Sequence, residues 1–201
     1  MRLFRPSLLS HCLYPEALFR IKSREKILCL TFDDGPDPGS TPFILKVLEK
    51  HHVKGLFFCS GEAAEKYPDL VEAIIDQGHT IGNHGYRHYD GWETSYKKYL
   101  DDIRAAERLT SRRYFRPPYG HLRLSQYRRL RKIYKIIFWD IMPYDFDKNF
   151  SAERSLNLLN RKIRPGSVIV LHDSPDSNCK YFLEDFIENS LDIGYRFEIT
   201  I

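Results

Sequence analysis

Short apolar runs alternate along this chain with segments whose apolar residues recur every three or four positions. The runs predict strands over residues 27–32, 55–59, 79–81, 114–115, 134–139, 168–171 and 195–199. The helical spacing predicts helices over 42–51, 69–77, 95–109, 124–133, 152–163 and 181–191. In the 95–109 segment Tyr99, Ile103, Ala106 and Leu109 fall on one stripe. Gly78 closes one helix as a C-terminal cap, and Ser151 opens another as an N-cap. Strand then helix, repeated, implies parallel strands with crossover helices, an α/β fold. A distorted (β/α) barrel of about seven strands fits better than the eight-unit barrel, which takes about 200 to 250 residues or more. The barrel is expected over residues 27–201, with residues 1–26 as an N-terminal extension packing on or beside it.

Composition agrees with one packed domain: 201 residues, 42% hydrophobic and 14% aromatic, with a formal charge of +4. The charge is uneven. From Ser111 to Lys135 there are nine Lys or Arg and no acid, a solvated helix face or an electropositive wall for an anionic polymer or membrane. No nucleic-acid-binding module is present, so a nucleic-acid partner is not expected. Cys12, Cys29, Cys59 and Cys179 form no CxxC pair and read as free thiols, which favours a reducing compartment. Residues 8–14 are too short and polar to span a bilayer and lack a signal-peptide core. Arg2, Arg5, Arg20, Lys22 and Arg24 surround apolar residues there, so peripheral membrane contact through this segment is a candidate role. The expected location is cytoplasmic or membrane-peripheral.

The chemistry concentrates at the predicted strand ends. The first strand finishes in Asp33 and Asp34 before a Gly-Pro turn, and α/β folds keep their catalytic groups at such carboxyl ends. Strand alternation sends the two acids to opposite sides unless the turn re-aims one. His84 and His88 have the i, i+4 spacing that lets two imidazoles meet one metal, and His172 and Asp173 follow another apolar run. One carboxylate plus two neutral imidazoles leaves a fourth position open, the arrangement of catalytic zinc. Asp101-Asp102, inside a predicted helix, reads as a chance pair, and His51, His52, His79 and His121 as structural or surface residues.

Five segments in order carry a resemblance: Thr31 to Asp37, His84 to His88, Arg116 to Gly120, Trp139 to Asp145, and Leu171-His172. They resemble the successive motifs of NodB-type polysaccharide deacetylases, carbohydrate esterase family 4, over residues 27 to 200. The resemblance implies Asp33 as general base, and Asp34, His84 and His88 as ligands of one divalent metal. Zinc is expected, though such a site also accepts cobalt, nickel or iron. It implies His172 as general acid oriented by Asp145, Arg116 as the partner of Asp33, and the Tyr119 N–H as an oxyanion donor. Trp139, Leu171, Pro118 and Tyr119 would line the substrate pocket. Two departures stand out. Gly85 replaces the usual Ser or Thr after the first histidine, which removes a brace from the ligand loop, and Phe146 replaces a usual Trp.

The expected reaction is removal of N-acetyl groups from an N-acetylglucosamine-type oligo- or polysaccharide, giving acetate and a free amine. Two alternatives remain at this stage: an amidase acting on a small non-sugar amide, and a catalytically lapsed glycan-binding protein. Oligomeric state is not legible.

Overall fold

The structure, a computed structural model, describes residues 4–199. Its elements run in the order α1 Leu8–Leu13, β1 Ile27–Asp33, α2 Thr41–Lys50, β2 Leu56–Cys59, α3 Gly61–Lys66, α4 Pro68–Asp76 and β3 Thr80–Asn83. There follow α5 Tyr96–Ala106, β4 Tyr114–Phe115, α6 Leu124–Leu130, β5 Lys135–Ile136, α7 Ala152–Lys162, β6 Ser167–His172, α8 Leu183–Asp192 and β7 Arg196–Phe197. All pairings within the seven-stranded sheet are parallel, in the order β5-β4-β3-β2-β1-β6, with β7 paired to the start of β1.

The sheet curls until its outer strands nearly meet. Ile141, beyond β5, bridges Ile169 of β6. The N-terminal segment fills the seam: Leu18 bridges Ile137, Arg20 bridges Ser167, and Ile21 N–H donates to the Gly166 carbonyl at 2.8 Å. This explains why β5 is two residues long where the apolar run predicts six. The chain past Ile136 pairs by isolated bridges with the extension rather than by a ladder.

Alternation on β1 sorts the core into two layers. Leu28, Leu30 and Phe32 face outward and pack with Ile44 and Leu48 of α2 and with Leu183, Phe186 and Ile187 of α8. Cys29 faces inward and packs with Leu56, Phe58, Tyr114 and Val168 in the barrel interior. Every residue of β1 is buried on whichever face it presents, which is why the strand reads as an unbroken apolar run.

Helix limits shift where local signals compete. The 95–109 segment stops at Ala106, where Leu109 N–H turns back to the Ala106 carbonyl in a tighter i to i−3 bond. The last helix starts at Leu183, after a short 3-10 turn over Cys179–Tyr181. Two helices are absent from the apolar pattern, α1 and α3, each six residues long. Both carry a cap instead: the Ser7 and Ser60 side chains accept from the N–H of Ser10 and Ala63.

Candidate active site

The inward positions of β1 change from apolar to polar toward its carboxyl end, from Cys29 to Thr31 to Asp33. Asp33 pairs in register with His172 of β6, so the two catalytic candidates leave neighbouring strands at one level. Asp34 has left the strand, with φ 77. That left-handed turn re-aims its carboxylate to the same side as Asp33, overriding the alternation.

Asp34 Oδ1 lies 3.2 Å from His88 Nε2 and 3.6 Å from His84 Nε2. The three ligand atoms are all within 4.8 Å of one another, and Asp34 Oδ1 is buried without a hydrogen-bond partner. His84 Nδ1 lies 2.9 Å from the Arg116 carbonyl, which fixes that nitrogen as the donor and turns the Nε2 lone pair toward Asp34. Burial pushes His84 down to about 4 against the pull of Asp33, so its imidazole is neutral at pH 7. A buried orphan carboxylate oxygen beside two imidazole nitrogens is a donor set that fits a divalent cation. Among the described residues a second such group, His51, Glu184 and Glu188, already has a cation, because Lys50 Nζ lies 2.5 Å from Glu184 and 3.7 Å from Glu188.

Arg116 comes from the end of β4 and is 1% exposed. Its Nη1 donates to Asp33 Oδ1 at 2.6 Å and to Thr31 Oγ1 at 2.7 Å, and its Nη2 and Nε donate to the carbonyls of Phe138 and Ile137. The guanidinium is thereby held rigidly, and one carboxylate oxygen of Asp33 is neutralised while the other faces the cavity. Opposite, His172 Nδ1 lies 2.9 Å from Asp145 Oδ1. Asp145 also accepts from the His172 N–H at 2.7 Å and from Ser177 Oγ at 2.8 Å. Burial alone would lower the His172 pKa. The charge and hydrogen bond of Asp145, with Asp34 and Asp33 behind them, outweigh it and raise the imidazole to about 9.

Asp33, Asp34, His84, His88 and His172 line one cavity of about 400 Å³ with Tyr119, Trp139 and Val170. Two sequence expectations are corrected here. Leu171 faces outward into the helix layer and is fully buried there; the inward residues of β6 are Val170 and His172, so Val170 lines the cavity. Pro118 is buried and does not line it; Pro117 does. Phe146 is half-exposed and meets the His172 ring edge-on at 4.8 Å, standing over the proposed acid.

The reading of Asp102 is also corrected. It lies on the buried face of α5, three residues from Tyr99 and four from Ala106. Its carboxylate accepts from the N–H of Tyr86 at 2.8 Å and of Arg87 at 3.0 Å, bracing the loop between the metal-ligand candidates. Gly85 has φ 76, and a Cβ there would stand 2.8 Å from Asp102 Oδ2. The brace expected to be missing is supplied from α5, and glycine leaves the room for it. Asp173 accepts hydrogen bonds from Ser40 and Thr41 and so ties β6 to the start of α2. His121, expected to be structural or surface, lines the cavity and is held by Asp90 at 2.7 Å.

A family profile described as polysaccharide deacetylase matches residues 20–135. The chain belongs to the polysaccharide deacetylase family. A peptidoglycan-N-acetylglucosamine deacetylase of Bacillus cereus is 37% identical over 160 residues, covering 76% of this chain; the chain spans 58% of that relative's length. The crystal structure of the peptidoglycan N-acetylglucosamine deacetylase Bc1960 superposes with a TM-score of 0.83 at 33% identity, covering 91% of this chain and 90% of that one. A second structure, of the Bacillus anthracis family member BA3943, described as a pseudoenzyme, gives a TM-score of 0.80 at 26% identity, covering 96% of this chain and 70% of that one. Membership therefore does not by itself carry turnover. The residues in the cavity of this polysaccharide deacetylase homologue decide it.

Proposed function

We propose that this chain is a metal-dependent deacetylase of N-acetylated glycans, releasing acetate and leaving a free amine on an N-acetylglucosamine-type sugar. One observation carries the reading. Asp33, held by Arg116 at 2.6 Å, and His172, held by Asp145 at 2.9 Å, stand on adjacent strands with the Asp34–His84–His88 cluster beside them. A binding protein has no use for a neutralised base facing a charged acid.

Asp34, His84 and His88 would hold the metal, which supplies Lewis acidity when bound; zinc is the proposed ion. Asp33 takes a proton from the attacking water. The Tyr119 N–H, in a turn where that residue has φ 58, donates to the carbonyl oxygen as it gains charge. His172, protonated at neutral pH and fixed through Nδ1 by Asp145, delivers its Nε2 proton to the departing nitrogen. Trp139 and Val170 bound the space for the acetyl methyl.

The deciding experiment is acetate release from N-acetylglucosamine oligomers and peptidoglycan, with zinc, with chelator and with Asp33→Asn. The expected result is release that chelator abolishes and that Asp33→Asn reduces by about 10²–10⁴-fold. Stoichiometric metal without release from any glycan would move the reading to a non-sugar amide. Neither metal nor release would make the chain a lapsed binder.

Peripheral membrane contact belongs to the same proposal. Leu8, at 86% exposure, Leu9, Leu13 and Leu124 lie open to solvent. Arg128 and Arg131 line one groove with Leu13 and Leu124. The N-terminal and basic segments singled out in the sequence therefore meet on one face. Arg2 lies outside the described residues. Arg116 leaves the expected wall, since it is buried at Asp33.

A further inference from the structure

The cavity opens on one side onto a run of rings. The His88 ring lies 4.5 Å from Tyr119, Tyr119 lies 6.1 Å from His121, and His121 lies 3.6 Å from Trp92. The last pair is stacked face to face, with an interplanar angle of 8°. Trp92 is 54% exposed, so one indole face rests on His121 and the other is open to solvent.

An exposed tryptophan on a loose loop would need no explanation. The backbone of this one is tied on both sides of the residue, and one ring face is stacked. Asp90 accepts from the Trp92 N–H at 2.7 Å through one carboxylate oxygen and holds His121 Nδ1 at 2.7 Å through the other. The Trp92 carbonyl accepts from the Arg123 guanidinium, and the Gly91 carbonyl accepts from the fully buried Gln126 at 2.9 Å. Gly91 packs so tightly on the next segment that a Cβ there would come within 2.2 Å of the His121 carbonyl oxygen. The backbone that carries this side chain is therefore ordered before any ligand arrives and the indole is seated on His121, so contact with its open face adds binding free energy at a reduced ordering cost.

We propose that Trp92, stacked on His121, is a glycan-stacking platform that takes a pyranose unit beyond the one being deacetylated, on the Tyr119 side of the cavity. The inference rests on the deacetylase reading and narrows its substrate to an oligomer. A β-linked hexosamine presents flat faces of C–H groups, which bury apolar area against an aromatic plane, while its hydroxyls remain in water at the rim. The Phe146 side of the cavity is built differently: Phe146 meets His172 edge-on, over the proposed acid rather than beyond it.

The chain has two tryptophans, Trp92 and Trp139, so intrinsic fluorescence reports on the site. The test titrates N-acetylglucosamine monomer and hexamer into zinc-loaded Asp33→Asn protein, with and without Trp92→Ala and Trp92→Phe. Thermal midpoints check the fold of each variant. The expected result is about 10-fold weaker hexamer binding for Trp92→Ala, equivalent to ~1.4 kcal/mol, unchanged monomer binding, and recovery of most of the loss by Trp92→Phe. In the otherwise wild-type enzyme, Trp92→Ala should raise KM for the hexamer and leave kcat unchanged. Equal weakening of monomer and hexamer would mean that Trp92 only supports the loop and would overturn the platform. Unchanged hexamer binding would also overturn it, while acetate release from glycans would leave the deacetylase reading standing. Failure of every N-acetylated glycan to bind and to release acetate would overturn both.

Discussion

At the scale of single residues, the cavity depends on partners as much as on reacting groups. Asp145 holds His172 near pKa 9, above its ordinary 6.5. His172 thus contributes stability that is complete below about 6.5 and is lost as pH rises through about 9. Replacing Asp145 by Asn removes the main charge that raises the imidazole. The alkaline limb of kcat/KM should move to lower pH, and kcat at pH 8 should fall; an unmoved limb would separate Asp145 from the acid. Asp102 acts one step further out. Asp102→Ala should leave the Tyr86 and Arg87 amides unbraced and weaken metal binding by about 10–100-fold. Metal titration followed by activity measures this directly, and saturating metal should restore most of kcat. The sequence shows Asp102 on the same helical stripe as Tyr99, Ile103 and Ala106. A charged residue on a buried face was the legible signal, obscured by reading Asp101 and Asp102 as one pair.

At the scale of elements, β1 and β6 set which side chains reach the chemistry. Their register places Asp33 opposite His172 and Thr31 opposite Val170, and strand alternation sends Phe32 and Leu171 to the helix layer. Leu171→Ala should therefore behave as a core truncation, costing about 2–5 kcal/mol of stability, with each kcal/mol lowering Tm by roughly 2–4 °C for a domain of this size. KM for the glycan should stay unchanged. A raised KM at unchanged Tm would return Leu171 to the pocket. Assigning the side chain before His172 to the pocket ignored the period of two, which the histidine itself fixes once it faces inward. The six-residue helices were harder to read, because too few turns exist for periodicity and only their serine caps mark them.

At the scale of the whole molecule, the N-terminal segment closes the barrel seam through Leu18, Arg20 and Ile21 and carries the exposed leucines of α1 onto the basic face. No helix among the described residues is long and apolar enough to cross a membrane. Liposomes containing anionic lipid should bind the protein in a salt-sensitive way, and charge reversal at Arg128, Arg129 and Arg131 together should weaken that binding; co-sedimentation unchanged by the three substitutions would sink the membrane contact. The sequence by itself determined the parallel α/β architecture and named the candidate reacting groups, because periodicity, strand-end position and motif order are properties of one dimension. The platform at Trp92, the brace from Asp102, the choice of Val170 over Leu171 and the seam at Leu18 were decided only in three dimensions. Each depends on residues distant in sequence meeting across strands, helices and loops, and no local pattern records which distant segment will be the neighbour.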